Sequence, residues 1–202
     1  MKTKPTSLWI ALALALAATA ASAEKADRTK PMNVEADALR YDDLHQTSVF
    51  TGKVVVTKGT IVIRGAQMVV RQDPEGYQSG TVTADPGKKA FFREKREGAD
   101  EFIEGESDLI EYDGKADRVR FVNHAELRRF RGATLSDEML GSLIVYDNAS
   151  DTFSVDGGPA SPAAGGRIRA VHAPRASTSA PAAPATPPAR LRQSGTLGGS
   201  GK

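Results

Sequence analysis

The residue types that commonly do chemistry in proteins are sparse in this chain of 202 residues. It has no cysteine and no G-x-S-x-G, H-E-x-x-H or glycine-rich phosphate-binding motif. The three histidines, His45, His124 and His172, are far apart and lack the spacing of metal ligands. Asp42 and Asp43 lie in a predicted turn, where aspartate hydrogen-bonds its own backbone. The sequence therefore predicts no catalytic site, no metal site and no cofactor, and we do not expect an enzyme.

The segments that would position any site are short, alternating and rich in β-branched residues. Examples are "VVVT", "TIVIR", "DLIEY", "RVRFV" and "SLIVYD", separated by Gly, Asp, Asn or Pro. Helical spacing is nearly absent, and we expect the charged stretch "FREKREGADEFIEG" to be a loop because Gly98 and Gly105 interrupt it. The pattern predicts an all-β sandwich, barrel or β-roll.

Four similar stretches divide this β region. They begin at Glu35, Arg64, Glu106 and Leu140, and each places two small or short polar residues ahead of an apolar residue or tyrosine. Their uneven spacing indicates an irregular repeat of a strand unit and not a regular solenoid period. Each unit is predicted to be a strand, a turn and a returning strand. Strand alternation then predicts which residues face the interior. These are Phe50, Val54, Val56, Ile61, Ile63, Met68, Val70, Ile110, Tyr112, Val119, Phe121, Ala125, Leu127, Ile144 and Tyr146. We expect the cationic residues of the same strands to face outward or to lie near the rims: Lys53, Lys58, Arg64, Arg71, Arg118 and Arg120.

The two ends of the chain differ from the middle. Residues 1–23 combine Lys2 and Lys4 with a short apolar run and the small-residue sequence "ASA", which predicts a signal peptide cleaved near Ala23. Residues 159–202 are rich in Ala, Pro, Gly and Ser and carry six basic and no acidic residues, which predicts a disordered tail. One acidic domain over 24–158 remains. The overall charge of +2 therefore averages a basic tail and an acidic body, and gives no support for nucleic-acid binding.

The order of motifs in this domain resembles a known family. "PMNVEAD", "FTGKVVVTKGTIVIRGAQMVV", "GKKAFF", "IEGESDLIEYD", "RVRFVNHAEL" and "GSLIVYD" follow one another as in the LptA family of periplasmic lipopolysaccharide-transport proteins and the related organic-solvent-tolerance domains. The likeness covers about residues 31 to 158, and "FTGKVVVTKGTIVI" is its most specific part.

The resemblance implies a single twisted antiparallel β-jellyroll, V-shaped and open at both ends, in the periplasm. It further implies self-association end to end by strand addition. The chain would carry lipopolysaccharide from an inner-membrane-anchored jellyroll subunit and extraction complex to an outer-membrane translocon, with the acyl chains in an apolar lumen. The residues it places in the lumen are Met32, Val34, Phe92 and Tyr112, joined by Phe50, Val54, Val56, Ile61, Ile63, Met68 and Phe121 from strand alternation. Lys53, Arg64 and Arg71 would meet lipid phosphates at the rim or remain solvated surface charges.

Two alternatives stay open. The first is the membrane-anchored jellyroll subunit of the same pathway, which the predicted cleavage site disfavours. The second is a structural or glycan-binding β-module of the cell envelope, which would display exposed aromatic residues on one outer face.

Overall fold

The computed structural model describes Asp27, residues 30–96 and residues 100–174. The predicted signal peptide and residues 175–202 of the predicted tail lie outside the described residues. Twelve strands form one antiparallel sheet. They are β1 Asn33–Glu35, β2 Ala38–Asp42, β3 Thr47–Lys58, β4 Ile61–Gln72, β5 Gln78–Thr83, β6 Ala90–Lys95, β7 Glu101–Ser107, β8 Leu109–Asp113, β9 Arg118–Arg131, β10 Thr134–Asp147, β11 Thr152–Asp156 and β12 Arg169–His172. A short 3-10 helix, Ala164–Gly166, precedes β12.

The sheet folds into two facing layers because its four long strands bend. One half of β3, β4, β9 and β10 pairs with β2, β5, β8 and β11, giving a first layer in the order β2-β3-β4-β5-β8-β9-β10-β11. The other halves pair with β1, β6, β7 and β12, giving a second layer in the order β1-β3-β4-β6-β7-β9-β10-β12. The result is a β-jellyroll, as predicted from the sequence.

Local backbone chemistry makes the bends. In β3 the register shifts after Thr51, where Gly52 and Lys53 have φ of 82° and 45°. In β9 the same place is taken by Asn123 and His124, with φ of 61° and 49°. Glycine and asparagine adopt this left-handed conformation at low cost, and bulges sharpen a bend. The bends therefore lie where the sequence permits positive φ.

The sequence repeat marks the same bends. Its small or short polar pairs fall between β1 and β2 (Ala36-Asp37), inside β4 (Gly65-Ala66), between β7 and β8 (Ser107-Asp108) and inside β10 (Gly141-Ser142). A close approach explains Gly65 and Gly141, since an added Cβ would lie 2.4 Å from Val82 Cγ1 and 2.6 Å from Val155 Cγ1, respectively. The predicted repeat is thus a repeat of corners, at four places where the chain passes from the second layer to the first.

The twelve strands form two similar units of six. In each unit two short strands pair with a first long strand, and two further short strands pair with a second long strand. β1–β6 is one unit and β7–β12 is the other. The units join side by side through β5 with β8 in the first layer and β6 with β7 in the second.

Two expectations are corrected here. The stretch predicted as a charged loop contains β6 and β7, because Phe92 and Ile103 alternate into the interior while Arg93 and Glu104 form an outer ion pair of 2.9 Å. The sheet also continues past residue 158, where we expected disorder to begin. Arg169–His172 pairs with β10 as an edge strand, and all four of its residues are exposed. Such a strand carries no burial signal in the sequence.

Candidate functional site: the interior between the two layers

Apolar side chains from both layers fill the middle of the interior. Phe92 of the second layer and Phe121 of the first are both 0% exposed, and their rings meet edge to face with centroids 5.5 Å apart. Phe121 also packs over Gly105, where an added Cβ would lie 2.2 Å from the ring. The aromatic contacts thus cross from layer to layer and set the spacing between them.

Strand alternation predicted this interior well. All fifteen residues assigned to it by alternation contact the core, and fourteen of them are buried. Phe50 is the exception, since it is partly buried at one end of the interior together with Met32 and Val34. Phe92, placed in the interior by the family resemblance, is fully buried. The predicted lumen residues therefore form one continuous apolar set.

The interior is open at its N-terminal end. Leu39 and Tyr41 on β2 lie opposite Phe50 and Ser48 on β3, so Leu39 shares the interior face with Phe50, and Tyr41 follows it two residues on. They are nevertheless 58% and 54% exposed, because none of the described strands lies beyond β2. The apolar surface of the interior thus reaches solvent at this edge of the sheet.

The C-terminal end has a similar but better covered edge. Phe153 of β11 stacks on Tyr146, with ring centroids 4.6 Å apart and an angle of 6° between the planes. Phe153, Val155 and Met139 are partly buried against the core. Burial therefore decreases from the middle of the interior toward both ends.

Polar side chains cross between the layers on the side opposite the bends, which we call the mouth. Lys58 Nζ of the second layer donates to Tyr112 Oη of the first at 3.0 Å. Asn148, beside the end of β10, donates through Nδ2 to Glu94 Oε1 at 3.2 Å and accepts from Tyr146 Oη at 2.9 Å. The Arg129 guanidinium lies 5.2 Å from the centroid of the Phe153 ring. At the bends the layers share continuous backbone, whereas these mouth contacts are made by side chains.

The position of Lys58 corrects the expectation that it faces outward or lies at a rim. It is only 8% exposed and faces the interior in line with Val54 and Val56, as strand alternation itself requires. The other five cations of that set, Lys53, Arg64, Arg71, Arg118 and Arg120, are exposed as expected. The position of Lys58 in the alternation of β3 indicated that it faces the interior, but its charge favoured an outward or rim position.

Ionisable groups near the mouth show the effect of this environment. Burial raises the pKa of Tyr146, and the nearby Glu94 carboxylate acts in the same direction. For Asp147 at the exposed rim, hydrogen bonds from the Ser150 hydroxyl and backbone and from Arg118 lower the pKa to about 2. The tyrosine therefore remains neutral and the carboxylate charged at neutral pH.

The histidines do not form a catalytic arrangement with one another. Each binds an aspartate instead: His45 contacts Asp42 at 2.9 Å, His124 contacts Asp108 at 2.8 Å, and His172 contacts Asp137 at 2.5 Å. Within the described ranges no group of three or more His, Cys, Asp or Glu residues could hold a metal ion. The same ranges contain no helix long and apolar enough to cross a membrane.

The fold and its interior define the class of this protein: an open-ended β-jellyroll with an apolar core exposed at its edges. The model of the family described as "LptA/(LptD N-terminal domain) LPS transport protein" matches residues 33–152. The chain belongs to this family.

Curated relatives agree with this assignment. The lipopolysaccharide export system protein LptH of Pseudomonas aeruginosa is 30% identical over 136 residues, which are 67% of this chain and 74% of the relative. The lipopolysaccharide export system protein LptA of Escherichia coli K12 is 30% identical over 161 residues, which are 78% of this chain and 85% of the relative. The crystal structure of P. aeruginosa LptH, described as the LptA-homologous periplasmic component of the lipopolysaccharide transport device, superposes with a TM-score of 0.63 at 25% identity. The match covers 74% of this chain and all of that one.

Proposed function

We propose that this protein is a periplasmic, non-enzymatic carrier of lipopolysaccharide. It would hold the acyl chains between its two layers while the sugars stay in water. Copies joined end to end would pass the lipid from an inner-membrane-anchored jellyroll subunit to an outer-membrane translocon. Family membership and the named roles of the relatives support the transport role. The geometry of the edges supports the assembly.

The junction between the two units within the chain is the observation that supports the proposed assembly. Ile110 and Tyr112 on β8 occupy in the second unit the positions that Leu39 and Tyr41 occupy on β2 in the first. At the internal junction β5 covers β8, and Ile110 and Tyr112 are 0% and 5% exposed. At the free edge Leu39 and Tyr41 are 58% and 54% exposed. A second copy presenting β11 and β12 to β1 and β2 would repeat the internal junction and bury these side chains.

Lipid uptake requires the interior to open. Its central side chains are fully buried against each other, so acyl chains must replace contacts that the protein makes with itself. At the bends the two layers are joined by continuous backbone, whereas at the mouth they are joined by side-chain contacts. The layers should therefore separate at the mouth. Each methylene that leaves water contributes about 0.8 kcal/mol to binding. We infer that the mouth widens along the chain as a lipid enters.

The glycan-binding alternative depends on exposed aromatic faces. The outer face of the second layer does carry Phe91 and Phe102. Phe91 lies between the buried Ala90 and Phe92, and Phe102 precedes the buried Ile103. Arg64 lies 5.5 Å from the Phe91 ring centroid, and Arg93 lies 4.4 Å from that of Phe102. Because cations already cover these rings, they offer little free surface for stacking on sugars. We therefore favour the carrier.

Photo-crosslinking in cells tests the lipid site. A photoreactive residue at Val34 or Phe92 should capture lipopolysaccharide, because one lies at the open end and the other in the middle of the interior. The same residue at Lys88, whose side chain is 73% exposed, is the control and should capture none. Equal capture at all three positions, or none at Val34 and Phe92, would refute the proposed lumen.

The oligomeric state as a function of concentration tests the assembly. Leu39→Glu places a charge in the proposed junction and should keep the protein monomeric at concentrations where the parent chain associates. Leu44→Glu is the matched control, since Leu44 is 87% exposed in the turn after β2. If Leu39→Glu associates like the parent chain in sedimentation measurements, the edge is not the interface.

A further inference from the structure

Lys58 is a buried cation whose hydrogen-bond partner is a tyrosine hydroxyl and not a carboxylate. It is the last residue of β3, is 8% exposed and points into the interior at the mouth. Its Nζ hydrogen-bonds the Tyr112 hydroxyl at 3.0 Å and lies 5.2 Å from the centroid of that ring. Among the described residues, Asp27 included, it forms no salt bridge with a carboxylate. Buried charges in proteins are normally paired, because an unpaired one is costly to desolvate.

The second unit shows how this position looks when the chain provides its own anion. Arg129 of β9 is the counterpart of Lys58 on β3, at the same distance beyond the bend. Opposite Arg129 on the neighbouring strand stands Asp137, at 3.7 Å between Nη1 and Oδ2. Opposite Lys58 the corresponding position holds Ile61, which is 4% exposed. The fold therefore accommodates a carboxylate at this position, where the first unit has Ile61. The buried carboxylate of the first unit, Glu94, lies one strand further on in β6 and accepts a hydrogen bond from Asn148.

We propose that Lys58 is the receptor for a phosphate monoester on the headgroup of the lipid whose acyl chains enter the interior. The inference rests on the proposed function. Lys58 lies where the apolar interior meets the mouth, which is where a headgroup attached to buried acyl chains must emerge. Opening the mouth separates Lys58 from Tyr112, which belong to different layers, and frees the ammonium to bind. A phosphate then supplies the charge that Asp137 supplies to Arg129.

Binding of two lipids by the mature chain tests this receptor. The probes are a bisphosphorylated acylated glucosamine disaccharide and the same lipid with its phosphates removed. We expect the parent chain to prefer the phosphorylated lipid by about tenfold or more, the usual effect of a charge-assisted hydrogen bond. Lys58→Met should abolish this preference while binding the dephosphorylated lipid at least as tightly as the parent chain does, because the contact with Tyr112 no longer opposes opening. Lys58→Arg should retain the preference.

Ile61→Asp gives a second variant that adds a group rather than removing one. It copies the arrangement of the second unit, so the new carboxylate should neutralise Lys58 and abolish the preference as well. Lys88→Met is the matched control, because the Lys88 side chain is 73% exposed, and it should behave like the parent chain. Lys58→Met should unfold at the same or a higher temperature, since an apolar side chain of similar length replaces a buried charge.

The outcomes separate this receptor from the proposed function. A parent chain that binds both lipids equally, or a Lys58→Met variant that weakens both equally, overturns the receptor while leaving the carrier intact. A parent chain that binds neither lipid refutes the carrier itself. Loss of the preference in millimolar inorganic phosphate would identify free phosphate as the ligand and overturn the headgroup assignment; a preference that persists supports it.

Discussion

Truncating Phe92 to alanine tests whether the middle of the interior is a packed core in the lipid-free protein. The ring is 0% exposed and contacts Phe121 edge to face at 5.5 Å. A buried Phe→Ala change costs about 3–5 kcal/mol, which includes the lost transfer energy and the cavity left behind. Val34→Ala removes a partly buried side chain at the open end and should cost about 1 kcal/mol or less. We thus predict that the stability lost on truncation falls steeply from the middle of the interior to its open end.

Equilibrium unfolding in urea measures this gradient. The single tryptophan is Trp9, inside the predicted signal peptide, so circular dichroism is the suitable probe for the mature chain. With a typical urea dependence of about 1–3 kcal/mol per molar, Phe92→Ala should lower the midpoint by about 2 M. Phe92→Leu provides a milder variant if the alanine protein does not fold.

Adding lipid distinguishes a shared lumen from a closed core. An acyl chain can occupy the space left by the Phe92 ring, so lipid should stabilise Phe92→Ala more than it stabilises the parent chain. A Phe92→Ala cost below about 1 kcal/mol would show that the ring is not packed as the structure has it. Equal stabilisation of both proteins by lipid would show that acyl chains do not reach this position.

Three further perturbations address the spacing of the layers and the response to pH. Gly105→Ala places a methyl group against the Phe121 ring and should lower the free energy of unfolding by about 1–3 kcal/mol. In urea unfolding, the double variant with Phe121→Leu should recover part of this stability. No recovery would argue against the contact. Hydrogen bonds from Arg131, together with Arg96, lower the pKa of Glu101. The contribution of Glu101 to folding stability is therefore present above its unfolded pKa and is lost as pH falls through its folded pKa. Glu101→Gln should flatten the loss of stability below about pH 4.5, and an unchanged acid profile would contradict this. Burial raises the pKa of Tyr146, so folding stability should fall above about pH 10, where the tyrosine of the unfolded chain ionises. Tyr146→Phe should reduce this loss of stability at alkaline pH in thermal unfolding. An unchanged dependence on alkaline pH would count against this role of Tyr146.

Alternation identified the interior because most of its residues obey a period of two on each side of a bend. It worked across β3 and β9, where Phe50 and Phe121 share the interior face with residues beyond the bend. It also worked in β4, where Ile63 and Met68 are both buried although they have opposite parity. The change of parity there coincides with Gly65 and Ala66, the small pair that the repeat had already singled out.

The failures have specific physical causes. Charge suggested that Lys58 faced outward or lay near a rim, because no sequence signal shows that Tyr112 lies across the mouth to accept its hydrogen bond. Gly105 looked like a breaker, but the missing side chain makes room for Phe121 from the other layer. In both cases the deciding neighbour comes from the opposite layer and is distant along the chain. Contacts of this kind follow from how the sheet folds over, which local patterns do not encode.

A carrier that uses its own core as the binding site also meets the requirement for release. If the interior were a preformed empty channel, each acyl methylene would contribute its full transfer energy of about 0.8 kcal/mol, and several chains together would be held too tightly to move on. In the proposed carrier the lipid would first separate Phe92 from its partners and Lys58 from Tyr112, so part of that energy would go into opening the protein. Reclosure of these contacts returns the same energy when the lipid leaves. In the proposed carrier the packed interior would thus lower the net affinity at each step, equally for entry and for exit. The direction of transport would then be set by the proposed partners at the two membranes.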